Sequence, residues 1–301
     1  ANGRILREGP FEQVWVQPAA GDAGGAVGAA LFVWHQLLEK PREPRLPDLQ
    51  GGTLLGPQFI DEGIAQDLRG EGAVFATMPD DEALVEAVAR HLAEGKVVGW
   101  FQGRMEFGPR ALGGRSILGD PRSPEMQRIM NVKIKFRESF RPFAPSVLRE
   151  AVNEWFEMRE NEDSPYMLLV ADVQARHRTG DPVALAAARG IEKLMIPRAA
   201  IQAVTHVDHS ARVQTVDAER NPLYYRLLKA FEALTGCPVL INTSFNVRGE
   251  PIVGSPRDAF FCFRATDMDV LAVGRHLLVK EDQPRIAEAD VRRHLDRFAL
   301  D

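Results

Sequence analysis

The architecture of this chain turns on Gly236-Cys237-Pro238-Val239-Leu240-Ile241-Asn242-Thr243-Ser244-Phe245-Asn246. Before it, Pro222 to Leu234 carries apolar residues at helical spacing, and Gly236 stops that helix. Pro238 to Ile241 then reads as a buried strand, and two amides and two hydroxyls follow at once. In open α/β folds ligand-binding groups cluster past the carboxyl ends of strands. A plain turn-and-cap reading of Asn242 to Asn246 is equally open at this point. Downstream, Ser255-Pro256 caps a helix running to about Phe263, and Val270–Val273 and His276–Val279 have strand character. Upstream, Leu84, Val85, Val88, Ala89 and Leu92 place a helix over Asp81 to Glu94, and Gly95 leads into a strand over Lys96–Phe101. Ser123-Pro124 starts a helix over Glu125 to Val132. Pro165–Val173 and Ile201–Val207 read as strands, and Arg212 to Val216 is β-like. Helices and strands alternate without internal repeats, so the fold class is α/β.

The first 40 residues read differently. Gln13-Val14-Trp15-Val16 reads as a short strand, Gly21-Asp22-Ala23-Gly24-Gly25 as a turn, and Val27 to Leu38 as a helix. That layout can hold a phosphate on backbone N–H groups, although no Gly-Lys-Ser/Thr of a P-loop follows. Residues 41–75, with Pro41, Pro44, Pro47, Gly51, Gly52, Gly56 and Pro57, read as a connector with one helix over Ile60–Leu68, and a domain boundary falls near 75–80.

The chain has 301 residues, enough for about two domains. Its composition, 45% apolar and 26% charged, is that of a globular protein and excludes disordered and fibrous classes. Cys237 and Cys262 cannot form a disulfide framework, which points to a reducing, cytoplasmic setting. The longest uncharged run, Ala23 to Leu38, is 16 residues with three Gly and is too short to span a bilayer. The first residue is Ala rather than Met, which fits a chain cut from something longer. The net charge is −5, yet Phe101 to Glu150 holds ten basic residues against five acids. Phe107-Gly108-Pro109-Arg110 and Phe140-Arg141-Pro142-Phe143-Ala144-Pro145 interrupt this basic run as turns that aim side chains, so it reads as an anion site rather than a solvated helix face. No aromatic-lined basic groove accompanies it, which favours a small phosphorylated ligand over nucleic acid. Arg212 is a further anion anchor, while His206 and Asp208 read first as hydrogen-bonding residues.

The segments Gly103-Arg104-Met105-Glu106-Phe107-Gly108-Pro109-Arg110-Ala111-Leu112-Gly113, Phe136-Arg137 with Phe140 to Pro145, Thr205-His206-Val207-Asp208, Asn242 to Asn246 and Gly249-Glu250-Pro251-Ile252-Val253 together resemble the NodU/CmcH-type O-carbamoyltransferases. The resemblance runs from about residue 1 to 280. It implies a YrdC-like twisted α/β domain over 79–301, preceded over 1–78 by the C-terminal fragment of an actin/hexokinase-ATPase-like (TsaD-like) lobe. It further implies that the YrdC-like domain forms carbamoyl-adenylate from carbamoyl phosphate and ATP, and that the TsaD-like lobe passes the carbamoyl group to a hydroxyl-bearing small-molecule acceptor. Carried over residue by residue, Lys135, Arg110, Arg212 and Ser244 take catalytic roles. Arg104, Arg137, Arg141, His206, Asn242, Thr243 and Asn246 bind substrate and ATP, and Gly21, Gly24 and Gly25 approach the nucleotide of the transfer site. Mg²⁺ accompanies ATP. Iron is the metal of the TsaD-like lobe, where Asp22 resembles a ligand, but with its histidine partners absent Asp22 is not expected to hold iron in this chain. Two departures stand out: His209 replaces the family's usual Gly, and Arg176 to Met195 matches weakly and reads as a flexible insertion. The alternative is a YrdC-like nucleotide- or RNA-binding module without carbamoyl transfer.

Overall fold

A computed structural model describes residues 2–12, 14–44, 50–190, 192–296 and 298. Nine strands form one sheet among these residues: β1 (Ala76–Thr77), β2 (Val98–Phe101), β3 (Arg115–Gly119), β4 (Ala144–Leu148), β5 (Leu169–Asp172), β6 (Ser210–Val216), β7 (Val239–Ser244), β8 (Val270–Val273) and β9 (His276–Val279). Their order is β1-β9-β8-β2-β3-β7-β4-β6-β5. Only β2 with β8 and β4 with β6 run parallel, so this is a mixed sheet of the α/β class.

Helix Pro222–Thr235 forms as its signals dictate. Asn221 accepts the Tyr224 N–H at its start, Pro222 supplies a preset φ, and Gly236 ends it at φ +71°. It buries Tyr224, Leu227, Leu228 and Phe231 and packs against helix Asp81–Ala93, which Asp80 caps through Ala83 N–H at 2.8 Å. Helix Pro256–Ala265 opens with a reciprocal capping box between Ser255 and Asp258. It packs on β2 and β8 and on helix Asp61–Gly70. Most of the buried apolar residues form a single core between these layers.

Several sequence expectations are corrected. Val14–Val16 is not a strand, and Gln13 and Pro47 lie outside the described residues. The first long helix begins at Asp22 and widens into a π turn over Val33–Leu37. Ile201–Val207 contains a 3₁₀ turn over Gln202–Val204 instead of a strand. Asn242, Thr243 and Ser244 lie on β7 itself, because that strand pairs with β3 as far as Ser116↔Ser244. Arg176 to Met195 holds two short helices, Pro182–Ala187 and Glu192–Met195, with residue 191 outside the described set.

The pairing registers align the strand ends. Phe101 lies opposite Arg115, Ser116 opposite Ser244, Asn242 opposite Ala144, and Ser146 beside Gln214. The carboxyl ends of β2 and β7 and the amino ends of β3, β4 and β6 therefore share one end of the sheet. The segments 102–114, 135–143, 206–209 and 245–253 all emerge there.

Gly113 shows how tightly that end is built. Its φ is +103°, and a Cβ on it would stand 2.3 Å from the Tyr224 ring. Gly113→Ala is expected to cost about 2–4 kcal/mol of stability, combining left-handed backbone strain with overpacking. Urea denaturation checks it, and a loss below 1 kcal/mol would show that the helix shifts freely.

Candidate active site

Segment 103–115 is shaped by one carboxylate. Glu106 Oε1 accepts backbone N–H groups from Leu112 (2.6 Å), Gly114 (2.7 Å) and Arg115 (3.2 Å). Arg115 is fully buried, stacks over Phe101 and donates to the carbonyls of Gln102, Gly103, Gly114 and Pro57. The carbonyls of Ala111 and Leu112 are held from below by Asn242 Nδ2 at 3.1 Å and Gln214 Nε2 at 3.0 Å. Gln214 Oε1 accepts from Asn242 and from Ser146. Asn242, Gln214 and Ser146 thus share one face of the sheet, with Ser244 and Arg212 two residues along their strands on that same face. Thr243 lies on the opposite face of β7.

Helix Met126–Ile129 widens into a π turn over Met130–Ile134, a distortion common at functional sites. Phe136 follows at φ +46°, a left-handed conformation costly for a side chain. The reversal sends Lys135 inward and leaves Arg137 half-buried. Lys135 Nζ donates to Ser244 O and, at 2.8 Å each, to Asn246 O and Oδ1, with Ser244 Oγ at 3.3 Å. Burial pushes the Lys135 ammonium down to about 7, with the Arg137 charge adding to the effect. Ser244 Oγ in turn donates to Asn246 Oδ1 at 2.7 Å.

Two pairs of arginines lie at this end of the sheet: Arg137 with Arg141, next to Lys135, and Arg212 with Arg110. Arg137 donates to Asn131 Oδ1 at 2.6 Å and lies over Phe143. Burial, then the Arg141 charge, lowers its guanidinium to about 10. Arg141 is exposed and loosely paired with Glu138 at 3.8 Å. Arg212, half-buried on β6, is also lowered to about 10, by burial and then by Arg110. Neither Arg110 nor Arg212 has an ion pair among the described residues. His206, bonded to Ser210 Oγ at 2.9 Å, is pushed below the usual histidine range by burial and then by Arg212 and Arg198, against the opposing pull of Asp208. Partly desolvated guanidinium groups that outnumber the nearby carboxylates, Glu138 and Asp208, form a site for a polyanion.

The structure therefore brings Lys135, Ser244 and Asn246 into direct contact, with Arg110, Arg137, Arg141, Arg212 and His206 at the same sheet end. Arg104 is turned to Gly56 O at 3.1 Å. Asn242 is buried and its Nδ2 holds segment 103–113, which makes it a positioning group. Gly21, Asp22, Gly24 and Gly25 sit at the start of helix Asp22–Phe32, none of whose residues is buried, while Pro18 and Ala19 just before them come up against Gly108 of segment 103–113. Of the three glycines, only Gly24 is sterically demanded, since a Cβ would stand 2.0 Å from Ala19 O. Asp22 is exposed, and no three His, Cys, Asp or Glu side chains gather for a metal among the described residues. A groove of about 1000 Å³ follows that helix past Leu31, Phe32 and Trp34 and includes no residue of the sheet-end site. His209 adopts φ +65°, which explains why glycine suits that position.

Sequence reasoning missed Glu106, Asn131, Arg198, Gln214 and Glu250. Asn131 Nδ2 holds Arg141 O at 2.8 Å, and the buried Arg198 bonds Thr205 O at 2.8 Å. A family model described as the carbamoyltransferase C-terminus matches residues 89–280, and one described as the carbamoyltransferase N-terminus matches 1–31. The chain belongs to the carbamoyltransferase family. It is similar to the uncharacterized protein sll1178 of Synechocystis sp. (59% identity, covering 95% of this chain and 46% of that protein). It is also similar to the nodulation protein NolNO of Sinorhizobium fredii (41%, covering 95% and 39%). A third relative is the 3'-hydroxymethylcephem-O-carbamoyltransferase of Streptomyces clavuligerus (33%, covering 85% and 42%). The chain spans less than half the length of each of these carbamoyltransferase relatives. The C-terminus model contains every sheet-end residue named above, whereas the Gly21–Gly25 turn falls in the N-terminus model. No helix among the described residues is long and apolar enough to cross a membrane.

Proposed function

We propose that this chain carries the adenylate-forming site of an O-carbamoyltransferase, acting on carbamoyl phosphate and ATP. The observation that carries the reading is the placement of Arg110, Arg137, Arg141 and Arg212 at the same end of the sheet as the Lys135–Ser244–Asn246 turn. Two polyanions must meet there, and fixed cations offset their repulsion before bonds change. Water cleaves carbamoyl phosphate, phosphate leaves and carbamate remains. A carbamate oxygen then attacks the α-phosphorus of ATP, the bond to the leaving phosphate pair breaks, and carbamoyl-adenylate and pyrophosphate result. Arg110 and Arg212 hold the departing phosphate, while Arg137 and Arg141 face the triphosphate. Ser244 and Asn246, set by Lys135, line the reacting centre, and His206 orients beside Arg212. Mg²⁺ arrives with the nucleotide and offsets triphosphate charge.

The hydroxyl-bearing acceptor belongs to the TsaD-like lobe, of which residues 1–78 are the proposed C-terminal fragment. Exposed Leu31, Phe32, Trp34, Leu37 and Leu38 suit a segment that packs on more of that lobe. The 1–78 and 79–301 division is proposed as one of function; in the fold, helix Asp61–Gly70 and β1 already pack on the second unit. Iron belongs with the rest of that lobe, since Asp22 alone supplies one ligand, and no step here runs through it. The proposed setting is the cytoplasm.

The test mixes the purified chain with ATP, Mg²⁺ and carbamoyl phosphate and follows pyrophosphate and carbamoyl-adenylate. Both are expected, dependent on carbamoyl phosphate. Neither product, together with a salt-sensitive tRNA shift and no ATP binding, would replace this reading with an RNA-binding module.

A further inference from the structure

We infer that His294 and Glu250 form a positioning pair that sets the Lys135–Ser244–Asn246 turn, with the C-terminal helix as its backstop; the catalytic consequence rests on the adenylate-forming reading above. The helix Glu288–Asp296 lies beyond the part of the chain that the carbamoyltransferase C-terminus model matches. It nevertheless reaches the site. His294 Nε2 lies 3.2 Å from Glu250 Oε1, and both side chains are under a tenth exposed. The other Glu250 oxygen accepts Val247 N–H at 2.8 Å, and its backbone carbonyl accepts Asn246 Nδ2 at 2.6 Å. Asn246 Oδ1 is the acceptor for both Lys135 Nζ and Ser244 Oγ. A continuous path of polar contacts therefore runs from the last helix to the groups that line the reacting centre.

The surroundings make this path difficult to replace. His294 is packed between Phe261 and Phe298, with ring centroids 5.7 and 5.2 Å away, so its ring cannot swing to water. The left-handed Gly249, at φ +80°, lets the turn pass close to the carbonyl of Phe298, 2.7 Å from where a Cβ would stand. Without His294, the Glu250 carboxylate would lose one of its few buried polar neighbours, leaving the Cys262 thiol and the Lys135 charge beside it. It would then be drawn toward solvent, releasing Val247 and shifting Asn246. His294 touches neither the reacting groups nor Lys135, so it acts through Glu250.

The test uses the full chain with His294→Ala, His294→Gln and, on the exposed side of the same helix, Arg292→Ala. Two readouts are taken: amide hydrogen exchange at Val247, and the kinetics of pyrophosphate release from ATP and carbamoyl phosphate. His294→Ala is expected to speed Val247 exchange about tenfold and lower kcat about tenfold, the loss of one buried polar contact, with KM for ATP within about twofold. His294→Gln restores an N–H donor and is expected to recover both readouts to within about threefold, while Arg292→Ala changes neither. Val247 exchange within about twofold of wild type in His294→Ala would overturn the inference. So would equal losses in the Ala and Gln variants accompanied by melting of the helix, because the role would then be structural only. If the wild-type chain releases no pyrophosphate, the adenylate-forming reading fails, and Val247 exchange alone still decides whether the pair sets the turn.

Discussion

Lys135→Met is expected to lower pyrophosphate release by about a thousandfold and to reduce a rise in stability with pH that the wild-type chain shows, leaving the smaller share of Lys280, itself lowered to about 8 by burial. The activity loss follows from geometry: without the ammonium, Ser244 and Asn246 lose the group that holds their oxygens together, and losses of about 10²–10³ are typical when one preorganised charge-stabilising group is removed. The pH effect follows from burial. The Lys135 ammonium is lowered from the ordinary 10.5 to about 7 by desolvation first. Below pH 7 the lysine is charged in both folded and unfolded chains, and the folded state carries the full cost of the buried charge. As pH rises from about 7 toward 10.5, the folded chain releases its proton first while the unfolded chain still binds one. Stability therefore rises across that window, by up to a few kcal/mol. Urea denaturation of wild type and Lys135→Met at pH 6.5 and 9 reads the difference. Parallel stabilities of the two proteins at both pH values would show that Lys135 is not desolvated as described.

Arg212→Met is expected to separate activity from stability. Pyrophosphate release falls by about a hundredfold or more if, as proposed, the guanidinium faces a phosphate as its charge develops. Stability holds or rises by about 1 kcal/mol, because a partly desolvated cation with a like-charged neighbour, Arg110, is replaced by an apolar side chain. The two measurements are pyrophosphate release and thermal unfolding. A variant that loses both in parallel would make Arg212 a structural strut, and one that keeps its activity would remove it from the anion site.

Comparing the two readings of the chain shows where local pattern carries information. Helices Asp81–Ala93, Pro222–Thr235 and Pro256–Ala265 were legible because period, cap and stop agree within a dozen residues. β3 was not, since two glycines precede it and a charged residue opens it, and only the tertiary fold explains an arginine buried over Phe101. Ile201–Val207 failed for the opposite reason: a short apolar run does not separate a strand from a tight buried turn. The cations of the candidate site were legible through their unusual density among Gly, Pro and Phe. Their supports were not. Glu106 works on backbone N–H groups of its own loop. Gln214 reaches Leu112, 102 residues away, and Glu250 depends on a histidine in the last helix. None of these leaves a local spacing to read. The exception is Glu106, whose place within a glycine-rich basic segment marks an isolated acid that needs a reason.

The convergence of four segments at one end of the sheet also bears on how the protein acquires its site. Lys135 meets Ser244 across 109 residues of chain, and Asn242 meets Ala111 across 131. No single hairpin or helix pair can assemble even half of it, so the anion pocket exists only once β3, β7, β4 and β6 are paired. Contacts of such long range form slowly and late. A nascent chain thus holds no partial anion trap, and an anion captured at the end of folding stabilises the whole sheet at once instead of one loop.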